Sequence, residues 1–247
     1  MTLGEIYKLL DFITSKDNSG NTFSPIEFNE TIKYVVQLIY NEEVEHFAES
    51  GTISDIVSPY VVEMGGMNAP MVVDVNGLSL IPKDYQGKIS MFYKDGFNNR
   101  PVIMLNDKSI FDNLIGSTLK KPTHKHPACI FMSGYIKSEP KDLQYVDFTY
   151  FKKVETPFYD YYIDSNGDQI YLLQGISYLL KPGEEGSKGQ TAATTVVSLS
   201  YELLMPDFIH VKIISKLLSI IGINLSNADI LNYSELLQRK ENSPTKG

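Results

Sequence analysis

Residues 161–171 read Tyr-Tyr-Ile-Asp-Ser-Asn-Gly-Asp-Gln-Ile-Tyr, and this stretch carries the clearest structural signal in the chain. Aromatic and β-branched side chains on both sides of a polar centre favour two extended strands. Asn166 and Gly167 tolerate the positive φ angles of a type I′ turn, which joins antiparallel strands in a tight hairpin. The stretch therefore predicts a β-hairpin and places antiparallel sheet in this part of the chain.

The two-residue period extends outward from the hairpin over residues 66–201, with Gly, Pro, Asn and Asp between the segments. The candidate strands are residues 71–75, 77–81, 88–94, 101–105, 128–133, 134–138, 144–152, 158–163 and 169–173. We interpret the region as a β-rich body, an antiparallel sandwich or barrel. A short helix is predicted near residues 107–117, with Ile110 and Phe111 among the side chains that face inward.

Residues 1–65 have the periodicity of helices. Thr2 and Glu5 have the spacing of a capping box before the first apolar stripe. Ser24 and Glu27 repeat that spacing before a second stripe, with proline at the first helical position. We expect the two helices to form an antiparallel hairpin that buries both stripes together.

Residues 202–238 predict C-terminal helices. The first is strongly apolar and ends at Gly222, a residue that suits a helix C-terminus. A last helix is expected over residues 227–237, and residues 239–247 are expected to be a disordered tail. The predicted fold class is α+β in one compact unit, with helices at both ends and the β-rich body between them.

Residues 182–195 have few apolar side chains and many small ones, so they cannot contribute much to a core. We interpret this segment as a flexible loop that acts as an interface arm and becomes ordered against a neighbouring molecule. The residues on which this interpretation rests are Gly183, Gly186, Ser187, Gly189 and Gln190.

A net charge of −8 and a single cysteine narrow the possible functions. A protein that wraps nucleic acid needs clustered Lys and Arg to neutralise phosphates, so this chain is expected to let DNA pass without specific binding. One cysteine excludes an internal disulfide framework and favours a reducing cytoplasm. No apolar run approaches the length of a membrane span, so no membrane partner is predicted.

Two stretches of the sequence resemble metal-binding sites. Residues 17–28 resemble an EF-hand loop, but a non-glycine residue takes the position that needs glycine if Glu27 is the twelfth ligand. His124, His126 and Cys129 are candidate zinc ligands, yet no fourth ligand lies nearby in the sequence. The pattern favours a surface loop that enters a strand, with no metal and no other cofactor.

The sequence motifs of common hydrolases and nucleotide-binding enzymes do not occur in the chain. Glu42 with Glu43, and Asp160 with Asp164, are carboxylate pairs that a glycosidase could use. Acidic residues on loops and helix faces are ordinarily just solvated, however. We therefore predict no catalytic residues and a protein that is not an enzyme.

Several short stretches occur in a specific order along the chain. They are Thr2-Leu3-Gly4-Glu5-Ile6-Tyr7, Ser24-Pro25-Ile26-Glu27-Phe28-Asn29, Leu80-Ile81-Pro82-Lys83-Asp84-Tyr85, Lys121-Pro122-Thr123, Pro140-Lys141-Asp142-Leu143, Phe148-Thr149-Tyr150-Phe151-Lys152-Lys153 and residues 214–225. Together they resemble the ring-forming structural proteins in the neck and tail of crAss-like bacteriophages of Bacteroidetes hosts. The resemblance covers nearly the whole chain.

The resemblance implies a virion protein, assembled in the bacterial cytoplasm, that forms a homo-oligomeric ring between portal and tail. Its implied partners are copies of itself, the portal, other neck and tail ring proteins, and the double-stranded DNA that passes through. It implies no catalytic residues. The competing interpretations are a particle-borne hydrolase and a tail module that binds a receptor or carbohydrate, for which Tyr159, Tyr161, Tyr162 and Tyr171 form the candidate platform.

Overall fold

The computed structural model describes residues 1–16, 23–65, 69–95, 98–191, 193–222, 229–230 and 232–233. The chain divides into two compact units, Met1–Pro59 with Val154–Gly247, and Tyr60–Lys153. We call them the helix-rich unit and the β-rich unit. The described residues contain four α-helices and several antiparallel sheets, so the predicted α+β class is confirmed. None of these helices is long and apolar enough to cross a membrane.

The helices are α1 (Leu3–Lys16), α2 (Pro25–Ser50), α3 (Lys108–Gly116) and α4 (His210–Ile220). Helices α1 and α2 begin at their predicted caps, whereas α4 begins at His210 without a side-chain cap, after a 3-10 turn at Asp207–Ile209. Ser24 and Glu27 form the predicted capping box at the start of α2. Gly51 ends that helix with a φ of 71°, a left-handed conformation that glycine adopts without steric cost. The side chain of Asp107 caps α3, which lies within the predicted residues 107–117.

In the helix-rich unit, α4 packs against both α1 and α2. Its buried apolar residues are Ile213, Ile214, Leu217 and Leu218, as the periodicity predicted. At the rim of this contact the Lys216 ammonium donates to the Glu42 carboxylate over 2.7 Å, and Lys212 lies 3.3 Å from the same carboxylate. The hydrogen bond from Lys216 lowers the pKa of Glu42. The observed packing thus involves three helices, and the two-helix hairpin stays a prediction.

Some predictions fall on residues that the structure does not describe. Of the last predicted helix, residues 229, 230, 232 and 233 are described, and all four are helical. The predicted tail at 239–247 and the first half of the loop that resembles an EF-hand, residues 17–22, lie outside the described residues.

The strands are short, apart from two long ones at the centre of the β-rich unit. They are β1 (Val61–Met64), β2 (Met71–Val72), β3 (Leu78–Leu80), β4 (Tyr85–Asp95), β5 (Asn98–Pro101), β6 (Ile103–Leu105), β7 (Ala128–Phe131), β8 (Tyr135–Glu139), β9 (Tyr145–Lys152), β10 (Tyr161–Ile163), β11 (Gln169–Tyr171), β12 (Ser177–Leu179), β13 (Glu185–Gly186) and β14 (Thr195–Val197). Strands β10 to β14 belong to the helix-rich unit, where β10 lies between β11 and β13, and β12 pairs with β14.

The β-rich unit contains two sheets. One has the order β1-β9-β4-β5, with β2 also paired to β9, and the other has the order β3-β8-β7-β6. Buried side chains from both sheets form one core: Met71, Val73, Met91, Val102, Cys129, Ile136, Leu143, Val146, Phe148 and Tyr150. None of the described sheets closes into a barrel.

One pair of strands departs from the predicted antiparallel body. β6 and β7 are parallel, with Ile103 opposite Ala128, because α3 lies between them in the chain and provides the crossover that parallel strands need. Phe111 of α3 packs on Ala128 and Ile130. Ile110, which was predicted to face inward, is exposed instead.

The two units also divide the chain differently from the predicted spans. The predicted body at 66–201 contributes to both units, since the described strands β10 to β14 pair only among themselves. The end of the predicted helical region at 1–65 is not helical throughout. After a short 3-10 turn at Ser58–Tyr60, residues Val61–Met64 form β1 and pair with β9.

The β10–β11 hairpin forms where it was predicted, but its turn is of another type. Gly167 has a φ of 89°, whereas Asn166 does not adopt a positive φ. The Gly167 N–H donates to the Asp164 carbonyl over 3.0 Å, and the Asp164 carboxylate accepts the N–H groups of Asn166 and Asp168. These side-chain bonds stabilise a type I turn followed by a left-handed glycine.

Candidate assembly surfaces

The ribbon of β12 and β14 has a buried apolar face and a mixed outer face, on which the exposed Leu179 and Val197 lie beside Ser177 and Thr195. Tyr178 lies opposite Val196 on one face, and Leu179 lies on the other, which also carries Val197 and Leu199. Leu179 and Val197 are each 60% exposed, and Leu199 is 49% exposed. We call the row of Leu179, Val197 and Leu199 the ribbon face. A sheet normally carries polar side chains on its solvent face, so this row is typical of a strand pair that another surface covers.

The opposite face of the ribbon is covered within the unit. Leu172, Leu180 and Val196 form a buried cluster there. The Tyr178 ring stacks on Tyr162, with centroids 4.4 Å apart and an interplanar angle of 18°. Because this contact holds one face of the ribbon against β10, the ribbon face has a defined position on the unit.

Sequence reasoning missed this surface, because no strand was predicted beyond residue 173. The available signal was the alternation of residues 195–201, in which Val196, Ser198 and Ser200 are buried and the residues between them are not. A small buried serine at every second position hides the alternation, since serine is more often a surface residue.

A second apolar surface lies in the β-rich unit, where β2 and β3 separate. Their loop, Asp74-Val75-Asn76-Gly77, repeats the Asp-x-Asn-Gly sequence of the β10–β11 loop and its hydrogen bonds. The Asp74 N–H donates to the Leu78 carbonyl over 2.8 Å, which forms the first hydrogen-bonded pair of a hairpin. In a continuous hairpin the next hydrogen-bonded pair would be Val72 and Leu80. The two strands separate instead, because β2 pairs with β9 and β3 pairs with β8.

The separating strands enclose a cleft of about 650 Å³. Its lining is mostly apolar: Met64, Pro70, Met71, Val72, Leu78, Leu80 and Tyr135, with Asp74 and Ser79. At its rim Val72 is 62% and Leu80 is 83% exposed. We call this surface the β2–β3 cleft. It is unlike the ribbon face, because it is concave and flanked by two diverging strands.

The predicted interface arm is folded back on its own unit at its centre. Gly186 is buried opposite Tyr162, and its N–H donates to the Gln190 carbonyl over 2.8 Å. The Gly189 N–H donates to the Gly186 carbonyl over 2.9 Å, so these residues form a tight closed turn. Gly183, which precedes β13, is exposed. That the segment moves or binds a neighbour stays a prediction.

Asp160 holds this turn in place from the interior of the unit. Its buried carboxylate accepts the Ser187 hydroxyl over 2.6 Å and the N–H groups of Leu199 and Tyr161 over 2.9 and 3.1 Å. One side chain therefore connects the arm, the end of the ribbon and β10. A buried carboxylate is tolerated because three donors surround it.

The carboxylate pairs considered for catalysis have structural partners instead. Asp164 lies in the exposed hairpin loop, where the N–H of Asp168 is the main cause of its lowered pKa. Asp160 faces the interior and binds Ser187. Glu42 is paired with two lysines of α4, and Glu43 accepts the hydroxyl of Ser54. These contacts give neither pair a shared pocket among the described residues.

The tyrosines considered as a ligand platform pack against one another. Tyr159 is buried and stacks on Tyr171 and Tyr161 at centroid distances of 5.0 and 5.9 Å. Burial raises the pKa of Tyr159. Tyr162 stacks on Tyr178 under the ribbon. Their role in the structure is therefore internal packing, which matches the alternative of cross-strand pairs.

The candidate zinc ligands do not converge. The His124 Nε2 lies 3.1 Å from a carboxylate oxygen of Asp142, and His126 closes an exposed turn with Thr123. Cys129 is buried in the core, with its Sγ 3.8 Å from the Met91 sulfur. Among the described residues, no group of three His, Cys, Asp or Glu side chains could hold a metal ion.

Burial raises the pKa of the Cys129 thiol to about 12, and this gives a direct test of the core. At pH 8 the folded protein is expected to react with a thiol-specific chromogenic disulfide at least about 100-fold more slowly than the urea-unfolded chain, because the thiolate is the nucleophile. The release of the chromophore measures both rates. Rapid reaction of the folded protein would contradict the burial of Cys129.

Comparison with known proteins identifies no family: no family model matches the chain, and no curated protein sequence shows significant similarity to it.

Proposed function

We propose that the protein is a structural subunit that assembles with copies of itself into a ring in the neck or tail of a tailed bacteriophage. The ring would connect the portal to the tail and surround the DNA channel. The observation that carries the ring is the presence of two unlike apolar surfaces on one chain, the ribbon face and the β2–β3 cleft. The phage setting rests on the ordered motifs of the sequence.

Two unlike surfaces favour head-to-tail assembly because of symmetry, and such a contact gives a ring when the rotation between neighbours closes and a filament when it does not. A two-fold dimer uses the same patch on both subunits, whereas a ring uses a head-to-tail contact between two different patches. In the proposed contact, the ribbon face of each copy docks into the β2–β3 cleft of the next. The exposed row of Leu179, Val197 and Leu199 would fill the space between the diverging strands.

The energetics favour assembly that depends on concentration or on a template. The contact would bury five aliphatic side chains that are now about half exposed or more: Leu179, Val197, Leu199, Val72 and Leu80. Burial stabilises the contact by roughly 1–1.5 kcal/mol for each side chain, about 6 kcal/mol in total. Association costs about 4–15 kcal/mol in lost freedom, so a single contact is weak. Closing the ring gives each subunit two contacts, and the last subunit gains both at once. We expect a monomer in dilute solution.

In this proposal the β-rich unit is a sandwich of its two sheets, whose shared core would make a stiff wall. The chain's net charge of −8 supports a channel surface to which DNA does not adhere. Residues 182–195 would serve as the arm that contacts the neighbouring copy.

Electron microscopy of the purified protein over rising concentrations tests the ring, and mass spectrometry of purified particles tests the virion location. We expect closed rings whose reconstruction shows the ribbon face of one copy in the cleft of the next, and we expect the protein among the particle components. Compact assemblies that leave both surfaces in solvent would contradict the proposed contact. Particles that lack the protein would contradict the virion role.

A further inference from the structure

A polar pocket of about 420 Å³ lies in the β-rich unit where β9 begins. Its lining includes two tyrosines, two carboxylates, one amide and one lysine: Tyr93, Tyr145, Asp142, Asp147, Gln144 and Lys94. It differs from the β2–β3 cleft in that most of its lining carries hydrogen-bonding groups. Such a mixture of ring and polar side chains in a concavity is typical of small-molecule sites.

Two lining residues, Tyr93 and Asp142, are connected through His124, which lies outside the lining. The ring of Tyr93 lies 5.8 Å from the ring of His124, and the His124 Nε2 lies 3.1 Å from an oxygen of Asp142. The contact orients the Asp142 carboxylate, which would otherwise rotate freely on an exposed loop. The opposite oxygen of that carboxylate can then accept hydrogen bonds from a ligand.

Gln144 occupies an unusual backbone conformation at the edge of the pocket. Its φ is 56°, in the left-handed region, and it is one of two described non-glycine residues with a positive φ. Hydrogen bonds on both sides hold it there, since its carbonyl accepts the Val73 N–H over 2.7 Å and the Tyr145 N–H donates to the Leu143 carbonyl over 2.6 Å. The held backbone fixes the position from which the Gln144 side chain lines the pocket.

The net charge of the pocket lining disfavours anionic ligands. Lys94 lies 3.3 Å from an oxygen of Asp147 and is thereby paired, while the Asp142 carboxylate adds a further negative charge. A phosphate or carboxylate ligand would be repelled by this balance. A neutral ligand with many hydroxyl groups would not be repelled. The carboxylate and amide oxygens can accept hydrogen bonds from its hydroxyl groups, and the amide NH₂ can donate to its hydroxyl oxygens.

We propose that this pocket binds a neutral saccharide. Asp142 and Gln144 would bind adjacent hydroxyl groups, and the exposed ring of Tyr145 would pack on the C–H face of the sugar. This site is independent of the tyrosines first considered as a platform, which lie in the other unit. It adjoins the proposed ring contact, because Pro70 lines both concavities and Tyr145 pairs with Val72 at the rim of the cleft, so sugar binding is measured at concentrations where the protein is a monomer.

Saturation-transfer NMR with millimolar glucose, galactose, mannose and N-acetylglucosamine tests the proposal, followed by titration of any sugar that binds. We expect transfer to at least one sugar and about a tenfold weaker affinity for Gln144→Gly, because the variant loses one or two hydrogen bonds to the ligand. Glycine adopts the same φ without strain, so the variant should stay folded. The matched control is Ala193→Gly, which relieves the other positive φ, at 67°, far along the chain.

Lack of transfer to all four sugars in the wild-type protein would overturn the proposal, as would unchanged affinity of Gln144→Gly. Gln144→Gly should assemble like the wild type, because Gln144 belongs to neither the ribbon face nor the lining of the β2–β3 cleft. Wild-type protein that binds sugar but forms no rings would count against the ring alone, and loss of binding in Ala193→Gly would show that the effect of Gln144→Gly is not specific to the pocket.

Discussion

Val197→Glu and Leu80→Glu are each expected to abolish assembly, whereas an equimolar mixture of the two variants is expected to form at most a weak heterodimer that grows no further. Each substitution buries a carboxylate in an apolar contact, which is strongly unfavourable without a partner. The Val197→Glu chain keeps an intact β2–β3 cleft, and the Leu80→Glu chain keeps an intact ribbon face. One productive contact can therefore form in the mixture, and both remaining ends are blocked.

Native mass spectrometry measures this outcome if one variant carries a mass tag, at concentrations where the wild type forms rings. The matched control is Leu119→Glu, because Leu119 is 95% exposed and belongs to neither surface. That variant should assemble normally. Growth of the mixture beyond a dimer would show that the contact is not head-to-tail between these two surfaces. Assembly of either variant alone would exclude its surface from the contact.

Asp160→Leu is expected to destabilise the helix-rich unit by about 3 kcal/mol, because it leaves three part-buried donors without their acceptor. These donors are the Ser187 hydroxyl and the N–H groups of Leu199 and Tyr161. Asp160→Asn keeps the shape and one acceptor oxygen, so we expect a smaller loss of about 2 kcal/mol. Urea unfolding followed by circular dichroism measures both values.

Hydrogen exchange adds a local readout to this test. The amides of Ser187 and Leu199 should exchange faster in Asp160→Asn than in the wild type, because the carboxylate connects the arm and the ribbon to β10. The control is Asp164→Asn in the exposed loop, which should cost less than about 1 kcal/mol since Asn can make the same turn bonds. An equal loss of stability at both positions would contradict the role of Asp160.

Much of the secondary structure could be predicted because its causes are local. The capping box of Ser24 and Glu27 lies within four residues, and so does the Asp-x-Asn-Gly turn of the β10–β11 hairpin. The burial of Ile213 and Leu217 follows from helical spacing alone. The candidate surfaces could not be predicted in the same way, since each depends on which strands separate and which face another layer covers.

The sequence by itself determined the α+β class, the starts of the main helices, α3 and the hairpin at residues 161–171, because these depend on neighbours along the chain. Only the tertiary structure decided that Val197 faces outward while Val196 and Asp160 are buried. It also decided that β2 and β3 separate after a single hydrogen-bonded pair. Two adjacent valines have the same hydrophobicity and the same intrinsic preference for β-strands. Burial is set by contacts between distant segments, and those contacts exist only in the folded chain.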